Sequence, residues 1–493
     1  MININIKPNF KAEYSFDTED EHKLVKDYLT ISYSDRVWDW KLKKTIFATV
    51  TEEFFTETKK VKFRTTKTMS KLVVKYLESI GQDVNTDYVL PEHLVLSDKW
   101  RTIFENHPKP EKGQLQLKAI SALHEDNTGI ASLYTGLGKT ELLLSKAESY
   151  IEQFPTGNVA IITYSNKVLE EIALRAEKYG VVLDGRIKLI NPVGYARSSY
   201  SKSPEAIEWL SNVNMIIADE AHHFSALNGK WAEFVYAANP DYIFGFTATA
   251  DVAEGTTLNW ESILDNPTSQ TMSLMSFCGE MVIDEELPVP IKLTRVHTDL
   301  TDFNEYEKFK EDNPTRLQFL ISLFLNHEKT PNLLAKIVRA YVPDDSICFI
   351  PELTSVDTGV KLCNALNALG IPTVYYCGAG VWTPAGQLDK ITLEDLKELA
   401  RGRHFKVLIS NSVGVEGLDI PGLSSIIAMT GKSYKNTIQP LGRSARADLI
   451  HCILLFDKYN KQLNAQSKDK YLTIKNRLKV VLDTKVYIQE RDL

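Results

Sequence analysis

The sequence predicts an α/β protein with two tandem parallel-sheet domains behind a smaller N-terminal α/β domain. Three observations lead there. Short apolar runs alternate with helical stretches across residues 109–285, and they do so again across 286–458. Strand–helix alternation implies a parallel sheet whose ligands bind outside the strands' carboxyl ends. A glycine loop follows the first of these runs, and two adjacent acids follow a later one. At 493 residues the chain exceeds a single core, and about three domains are expected.

Composition is that of an ordinary globular protein, 43% hydrophobic and 25% charged, with a formal net charge of −7. That balance excludes a globally basic nucleic-acid binder, so an anionic partner must meet local basic patches. Five scattered cysteines without a CxxC pair fit a reducing compartment and argue against a zinc site or a disulfide framework. No apolar run has membrane-span length, and the first residues lack a signal peptide's apolar block. The expectation is a soluble protein of the cytoplasm, or of the host cytoplasm if viral.

Residues 1–108 read as the first domain, with strands at 2–6, 27–32 and 45–50 and a helix near 70–80. Residues 36–41 hold Trp38 and Trp40, with Lys43 and Lys44 close behind. Residues 59–75 carry Lys59, Lys60, Lys62, Arg64, Lys67, Lys71 and Lys75 and no acid. One reading is a solvated face plus two core tryptophans. The other is a basic, aromatic surface that neutralises phosphates and stacks bases. Pro108 and Pro110 mark a linker.

Strand-like runs of the second domain, 109–285, lie at 129–133, 159–163, 187–190, 215–218 and 242–246. The first leads into LYTGLGKT, residues 133–140, and then into a helical stretch. Strand, glycine loop and helix N-terminus in that order make a phosphate cradle. Gly136 and Gly138 let the backbone approach closely, Lys139 reaches the β and γ phosphates, and the Thr140 hydroxyl ligates Mg²⁺. The first glycine of the usual pattern is replaced by Leu133. About 80 residues on, Met215-Ile-Ile-Ala-Asp-Glu-Ala-His222 places two carboxylates at a buried strand's end. Asp219 suits Mg²⁺ held through water, and Glu220 suits orienting and deprotonating the attacking water. Thr247 and Thr249, after the next strand, bring two hydroxyls toward the same edge.

GLGKT, DEAH and TAT, in that order, resemble the first motor domain of superfamily-2 helicases of the DEAH type. The resemblance implies a RecA-like fold with ATP and Mg²⁺ as cofactors. It assigns nucleotide contacts to Gln116, Leu133, Tyr134, Thr135, Gly136, Leu137, Gly138, Lys139 and Thr140. His222, Thr247 and Thr249 would couple hydrolysis to nucleic acid. In 286–458, strand-like runs lie at 347–350, 373–376, 405–410, 425–428 and 452–456. Residues 410–421 match the family's motif V, implying nucleotide contacts at Gly417 and Asp419. Residues 439–446 match motif VI. Arg443 and Arg446, three apart on a helix, share a face and suit arginine fingers on the γ-phosphate, with Gln439 another turn back. The resemblance spans about residues 113–457.

Thr163, Ser165 and Lys167 stand where the superfamily often has a proline–threonine element touching the nucleic-acid backbone. Trp382, in a Gly/Pro-rich stretch, is either a strand-separating wedge or a surface tryptophan packed on its own loop. Residues 459–493 read as a helical tail, over 467–483, without chemistry. The whole implies a two-lobed, monomeric motor. The small basic N-terminal domain ahead of two lobes and a short tail is similar to phage helicases of the UvsW type. That likeness implies branch migration on branched or forked DNA in replication and recombination. An RNA helicase and a double-stranded DNA translocase subunit of a larger complex stay open as alternatives.

Overall fold

The structure, a computed structural model, describes residues 2–6, 11–39, 44–59, 62–89, 91–125, 128–134, 136–183, 185–224, 229–248, 268–285, 287–312, 320–351, 355–377, 380–383, 386–388, 391–411, 420–429, 440–442, 444 and 447–493. The chain divides into two compact units, residues 1–133 with 137–285, and residues 286–493 with 134–136.

In the first unit, strand β1 (Ile2–Ile6) alternates isoleucine with asparagine, and all three isoleucines are buried. It pairs with β2 (Lys11–Phe16). A hairpin follows, β3 (Thr30–Asp39) with β4 (Lys44–Glu53). Then come β5 (Thr56–Lys59), β6 (Lys62–Thr66) and β7 (Val84–Tyr88). The sheet order is β5-β6-β2-β1-β7. The strand expected at 27–32 starts only at Thr30. Before it the chain is helical over Glu19–Tyr28, because Thr18 and Glu21 form a reciprocal capping box that starts the helix.

The helix Lys67–Ser79 begins where Thr66 accepts the Met69 amide and packs against the helix Ser269–Cys278. Leu72, Val73 and Leu77 share one apolar core with Met272 and Phe277. Thr68 donates to the Ser276 carbonyl, and Lys75 pairs with Glu280 at 3.2 Å. The small sheet therefore draws part of its core from a helix that lies, in the chain, between two strands of the larger sheet. Residues 92–105 are bonded to the larger layer. The Tyr242 hydroxyl donates to Glu92 O at 2.5 Å, the Ser97 amide to Ser149 Oγ at 3.0 Å, and Trp100 Nε1 to Glu148 Oε2 at 2.6 Å.

That larger layer holds β8 (Thr128–Leu133), β9 (Asn158–Ile162), β10 (Ile187–Ile190), β11 (Val213–Asp219), β12 (Tyr242–Thr247) and β13 (Met281–Glu285). All pair in parallel, in the order β10-β9-β11-β12-β8-β13. Both faces are covered by helices, which explains why β8 and β12 are buried at every residue.

Lys146, on the helix after β8, is fully buried. Its Nζ donates to the Leu123 carbonyl at 3.2 Å and lies 3.6 Å from the centroid of the Phe244 ring. Burial holds its pKa well below the usual lysine value. The unfolded chain binds a proton there that the folded chain refuses, so stability rises with pH up to the unfolded value near 10.5. Lys146→Met fills similar volume without a desolvated amine, though it leaves the Leu123 carbonyl uncapped. It is expected to stabilise the protein by ~1–2 kcal/mol at pH 7 and to flatten the rise, as read by denaturant unfolding at pH 7 and 9.

In the second unit, β14 (Ile291–Thr298), β15 (Ile347–Ile350), β16 (Thr373–Cys377), β17 (Gly380–Thr383), β18 (Gly386–Leu388), β19 (Val407–Ser410), β20 (Leu423–Ala428), β21 (Ile450–Asp457) and β22 (Val480–Tyr487) form one sheet. Its order is β18-β17-β16-β19-β15-β20-β21-β14-β22. Only the β16–β17 and β17–β18 pairs are antiparallel. Trp382 lies in β17 opposite Tyr375, half-buried against the core, so it belongs to a hairpin and not to a loop.

The tail departs from expectation more sharply. The helix runs Lys461–Arg477 and the chain then turns into β22, which joins β14 in parallel as an edge strand. Val481 and Leu482 are both exposed and the register shifts between Val480 and Leu482, so the strand carries no clean period-2 contrast. The helix expected over 467–483 thus runs Lys461–Arg477 instead, and Val480–Tyr487 adds an edge strand to the sheet. The five cysteines are buried and free. Among the described residues no helix is long and apolar enough to cross a membrane.

Candidate active site

The carboxyl edge of the first unit's parallel sheet carries the glycine loop, the acidic turn and Thr247. Leu133 ends β8, fully buried and paired with Glu285 of β13. It is still strand, so this position needs no glycine, which explains the departure from the usual loop pattern. Gly136 has φ +93° and Gly138 φ +100°, backbone that side chains with a Cβ rarely adopt. A Cβ on Gly138 would stand 2.4 Å from Gln116 Nε2. Between them Leu137 is buried as an anchor, and its carbonyl accepts Gln116 Nε2 at 3.0 Å.

Gln116 is itself buried, and its Oε1 has no hydrogen-bond partner among the described residues. An orphaned acceptor beside a glycine cradle fits a ligand that brings a donor, such as an adenine amine. Gly138 caps the helix Lys139–Gln153, whose first turn carries Thr140. Lys139 Nζ donates to the Leu133 carbonyl at 3.2 Å, so the ammonium already lies at the loop's mouth. The helix is held from the side by Arg175, which meets Glu141 at 2.7 Å.

Two strands away, β11 ends in Asp219, nine-tenths buried. Glu220 follows at φ +57°, a left-handed conformation that is costly for a residue with a Cβ. Its Oε2 lies 3.4 Å from Thr247 Oγ1, which donates to it, and 3.4 Å from His222 Nδ1. His222 Nδ1 and Thr247 Oγ1 are 3.1 Å apart. Thr247 is fully buried at the end of β12, the strand between β8 and β11. In register, Asp219 faces Phe246 and Thr247 faces Ser132. The three strand ends are therefore level, and two strand spacings separate the loop from the acids, about 10 Å. That gap is the size of a hydrated cation with a terminal phosphate. Among the described residues no cluster of three or more His, Cys, Asp or Glu could hold a metal. One hydroxyl and one carboxylate suit Mg²⁺, which keeps several waters and takes its remaining ligands from phosphate.

Thr247→Val removes the hydroxyl that joins Glu220 to His222 while keeping shape. The expected outcome is a loss of about 1–2 kcal/mol of stability from the buried groups left short of a partner, measured by denaturant unfolding.

Other expected site residues are placed less tightly. Thr163 is fully buried at the end of β9, its amide bonded to the Ile190 carbonyl and its Oγ1 without a partner among the described residues. Ser165 precedes the helix Asn166–Tyr179 but makes no side-chain capping bond. Lys62 and Arg64 are exposed on β6, and Arg64 meets Glu13 at 2.7 Å. Trp38, Lys59 and Lys167 lie in described elements, but their side chains lie outside the described residues, as do Trp40, Lys60, Thr135, Thr249, Gly417, Asp419, Gln439, Arg443 and Arg446. Sequence reasoning missed Asn191. Its Oδ1 accepts the Val193 and Gly194 amides, and its Nδ2 donates to Tyr164 O at 2.9 Å and Asn166 Oδ1 at 3.2 Å. It ties the turn after β10 to the turn after β9. The signal was Asn before Pro192, a capping residue with proline in the first turn.

A parallel sheet with this loop and acidic turn at one edge is a RecA-like fold. Residues 103–252 match the family described as "Type III restriction enzyme, res subunit". The chain is 23% identical to "Putative helicase 22" of Sulfolobus islandicus filamentous virus, over 66% of this chain and 59% of that one. It therefore spans about three fifths of that relative's length. It is also 23% identical to "DNA 3'-5' translocase XPB2" of Sulfurisphaera tokodaii, over 77% of this chain and 88% of that one. Among solved structures, a variant of S. cerevisiae Dbp5 bound to RNA and ADP BeF3 is similar with TM-score 0.51 and 14% identity, covering 80% of this chain and 94% of that one. T4 UvsW is similar with TM-score 0.43 and 13% identity, covering 99% of each chain.

Proposed function

We propose that this chain is an ATP-dependent DNA helicase of the DEAH type that unwinds and remodels branched DNA at forks and junctions. The observation that supports the motor most is the Glu220–Thr247–His222 cluster, level with the glycine loop at one sheet edge. In this reading the loop amides and Lys139 hold the phosphates, and Gln116 meets the base through its orphaned Oε1. Thr140 and Asp219 would hold Mg²⁺, whose charge offsets that of the β- and γ-phosphate oxygens. Glu220 takes a proton from the attacking water, whose oxygen bonds to the γ-phosphorus as the bond to the β–γ bridging oxygen breaks. ADP and phosphate leave. Arg443 and Arg446, with Gln439, steady the charge on the γ-phosphoryl oxygens. Gly417 and Asp419 add nucleotide contacts. Thr247 and His222 sense the state of Glu220 and pass it on.

DNA as the partner rests on the named activity of the archaeal relative, a DNA translocase. The branched substrate rests on the N-terminal sheet, whose exposed Lys62 and Arg64 suit a duplex backbone. Because that sheet shares its core with the helix Ser269–Cys278, force made in the first unit can reach it. A monomer suffices for this scheme. One other reading has its own support. The archaeal relative is named a DNA translocase, which favours a double-stranded DNA translocase that does not separate strands. Phosphate release with single-stranded DNA, RNA and plain duplex tells them apart. Stimulation by DNA with strand displacement is expected. Stimulation by RNA alone would select an RNA helicase, and stimulation by duplex without displacement would select the translocase.

A further inference from the structure

At the carboxyl ends of β14, β21 and β22 lies a cavity of about 620 Å³ that no motif accounts for. That volume is typical of a small-ligand site. Along one side runs a stack of three rings set by sheet register. His297 faces Phe456 on one side and Tyr487 on the other. His297 and Phe456 stack with centroids 4.7 Å apart and planes 12° apart, and His297 and Tyr487 lie 5.3 Å apart at 30°. Tyr487 is 65% exposed, so its outer face is open to a ligand. His297 Nε2 is buried and has no hydrogen-bond partner among the described residues.

The rim is cationic. Lys458 and Lys468 line the cavity and are exposed, and Lys485 lies 4.9 Å from the Tyr487 ring centroid. The two carboxylates in the wall are already engaged. Asp457 accepts the amides of Thr301, Tyr459 and Asn460, and Asp299 accepts that of Glu490. Asn464 locks the wall by exchanging two hydrogen bonds with the Asp457 backbone, at 2.9 and 2.6 Å. Rings that stack a base beside cations that meet a phosphate are the elements of sequence-tolerant single-strand binding.

We infer that this cavity holds one unpaired nucleotide of a nucleic-acid strand, its base on the outer face of Tyr487, the open end of the stack, and its phosphate at Lys458 and Lys468. The inference deepens the helicase reading and rests on it. It also gives the terminal strand β22 a function, since Tyr487 is carried there. Phe456 and His297 back the Tyr487 ring, and Tyr487 is the part that yields to substitution without disturbing the core.

The test is fluorescence anisotropy of a labelled 20-nucleotide oligo-dT with the full chain, against Tyr487→Ala, Tyr487→Phe and Lys458→Ala/Lys468→Ala. Expected is about tenfold weaker binding for Tyr487→Ala, near-normal binding for Tyr487→Phe, and a lower salt slope for the lysine pair. Nucleic-acid-free ATP hydrolysis and thermal melting should stay unchanged in all three. Equal strand affinity for Tyr487→Ala and wild type overturns the inference, whether or not deoxythymidine monophosphate alone binds the cavity. Failure of the wild type both to bind the strand and to hydrolyse ATP would instead sink the helicase reading itself.

Discussion

On the proposed function, Lys139→Ala is expected to lower nucleic-acid-stimulated ATP hydrolysis by at least ~100-fold, the scale of losing a preorganised cation from a charged transition state. The geometry makes the effect specific. Lys139 Nζ lies 3.2 Å from the Leu133 carbonyl at the mouth of the loop, and the loop is shaped by Gly136, Gly138 and the buried Leu137. Alanine is a good helix former at the start of Lys139–Gln153, so melting should move by no more than ~0.5 kcal/mol. A variant that melts normally and hydrolyses ATP at the wild-type rate would remove the loop from the mechanism.

The second large effect is Glu220→Gln, expected to cut the hydrolysis rate by ~10²–10⁴-fold while nucleotide binding persists. Glutamine keeps the shape of the side chain and can still meet Thr247 and His222, but it takes no proton from water. The left-handed backbone at Glu220 holds strain that a binding-only residue would have no reason to keep. Glu220→Gly should relieve that strain and be equally dead in hydrolysis. Quench-flow measurement of phosphate release, with nucleotide affinity measured separately, checks both. Hydrolysis within tenfold of normal in Glu220→Gln would move the base elsewhere.

The parallel sheets were legible because their strands are apolar on both faces. Runs such as Val159–Ile162 and Ile347–Ile350 admit little else. The loop and the acids were legible because phosphate chemistry demands fixed residue types at fixed offsets. What the sequence hid was tertiary. The orphaned Oε1 of Gln116 depends on Leu137, 21 residues away, taking its amide. The Thr247–His222–Glu220 cluster depends on two strands ending level. The tail's edge strand was hidden because Val480–Tyr487 is half-exposed and charged, so its alternation carried little apolar contrast. Its aromatic row exists only through pairing with β14, which lies far earlier in the chain.

The N-terminal sheet shows the same limit. Its isoleucine alternation was readable in β1, but the core it shares with Met272 and Phe277 was not. Removing residues 1–108 would strip that core and also the Trp100–Glu148 bond. Charge neutralisation at Lys62 and Arg64 is therefore the cleaner test of a duplex grip, since both side chains are exposed on β6.

The most direct measurement is ATP-dependent resolution of a synthetic four-way junction and a fork by the intact protein alone, with Glu220→Gln as the control. A branched-DNA helicase converts both substrates with ATP, and the control converts neither. A protein that hydrolyses ATP on these substrates yet leaves their strands paired, or one whose Glu220→Gln variant resolves them as well as the wild type, contradicts the proposed function.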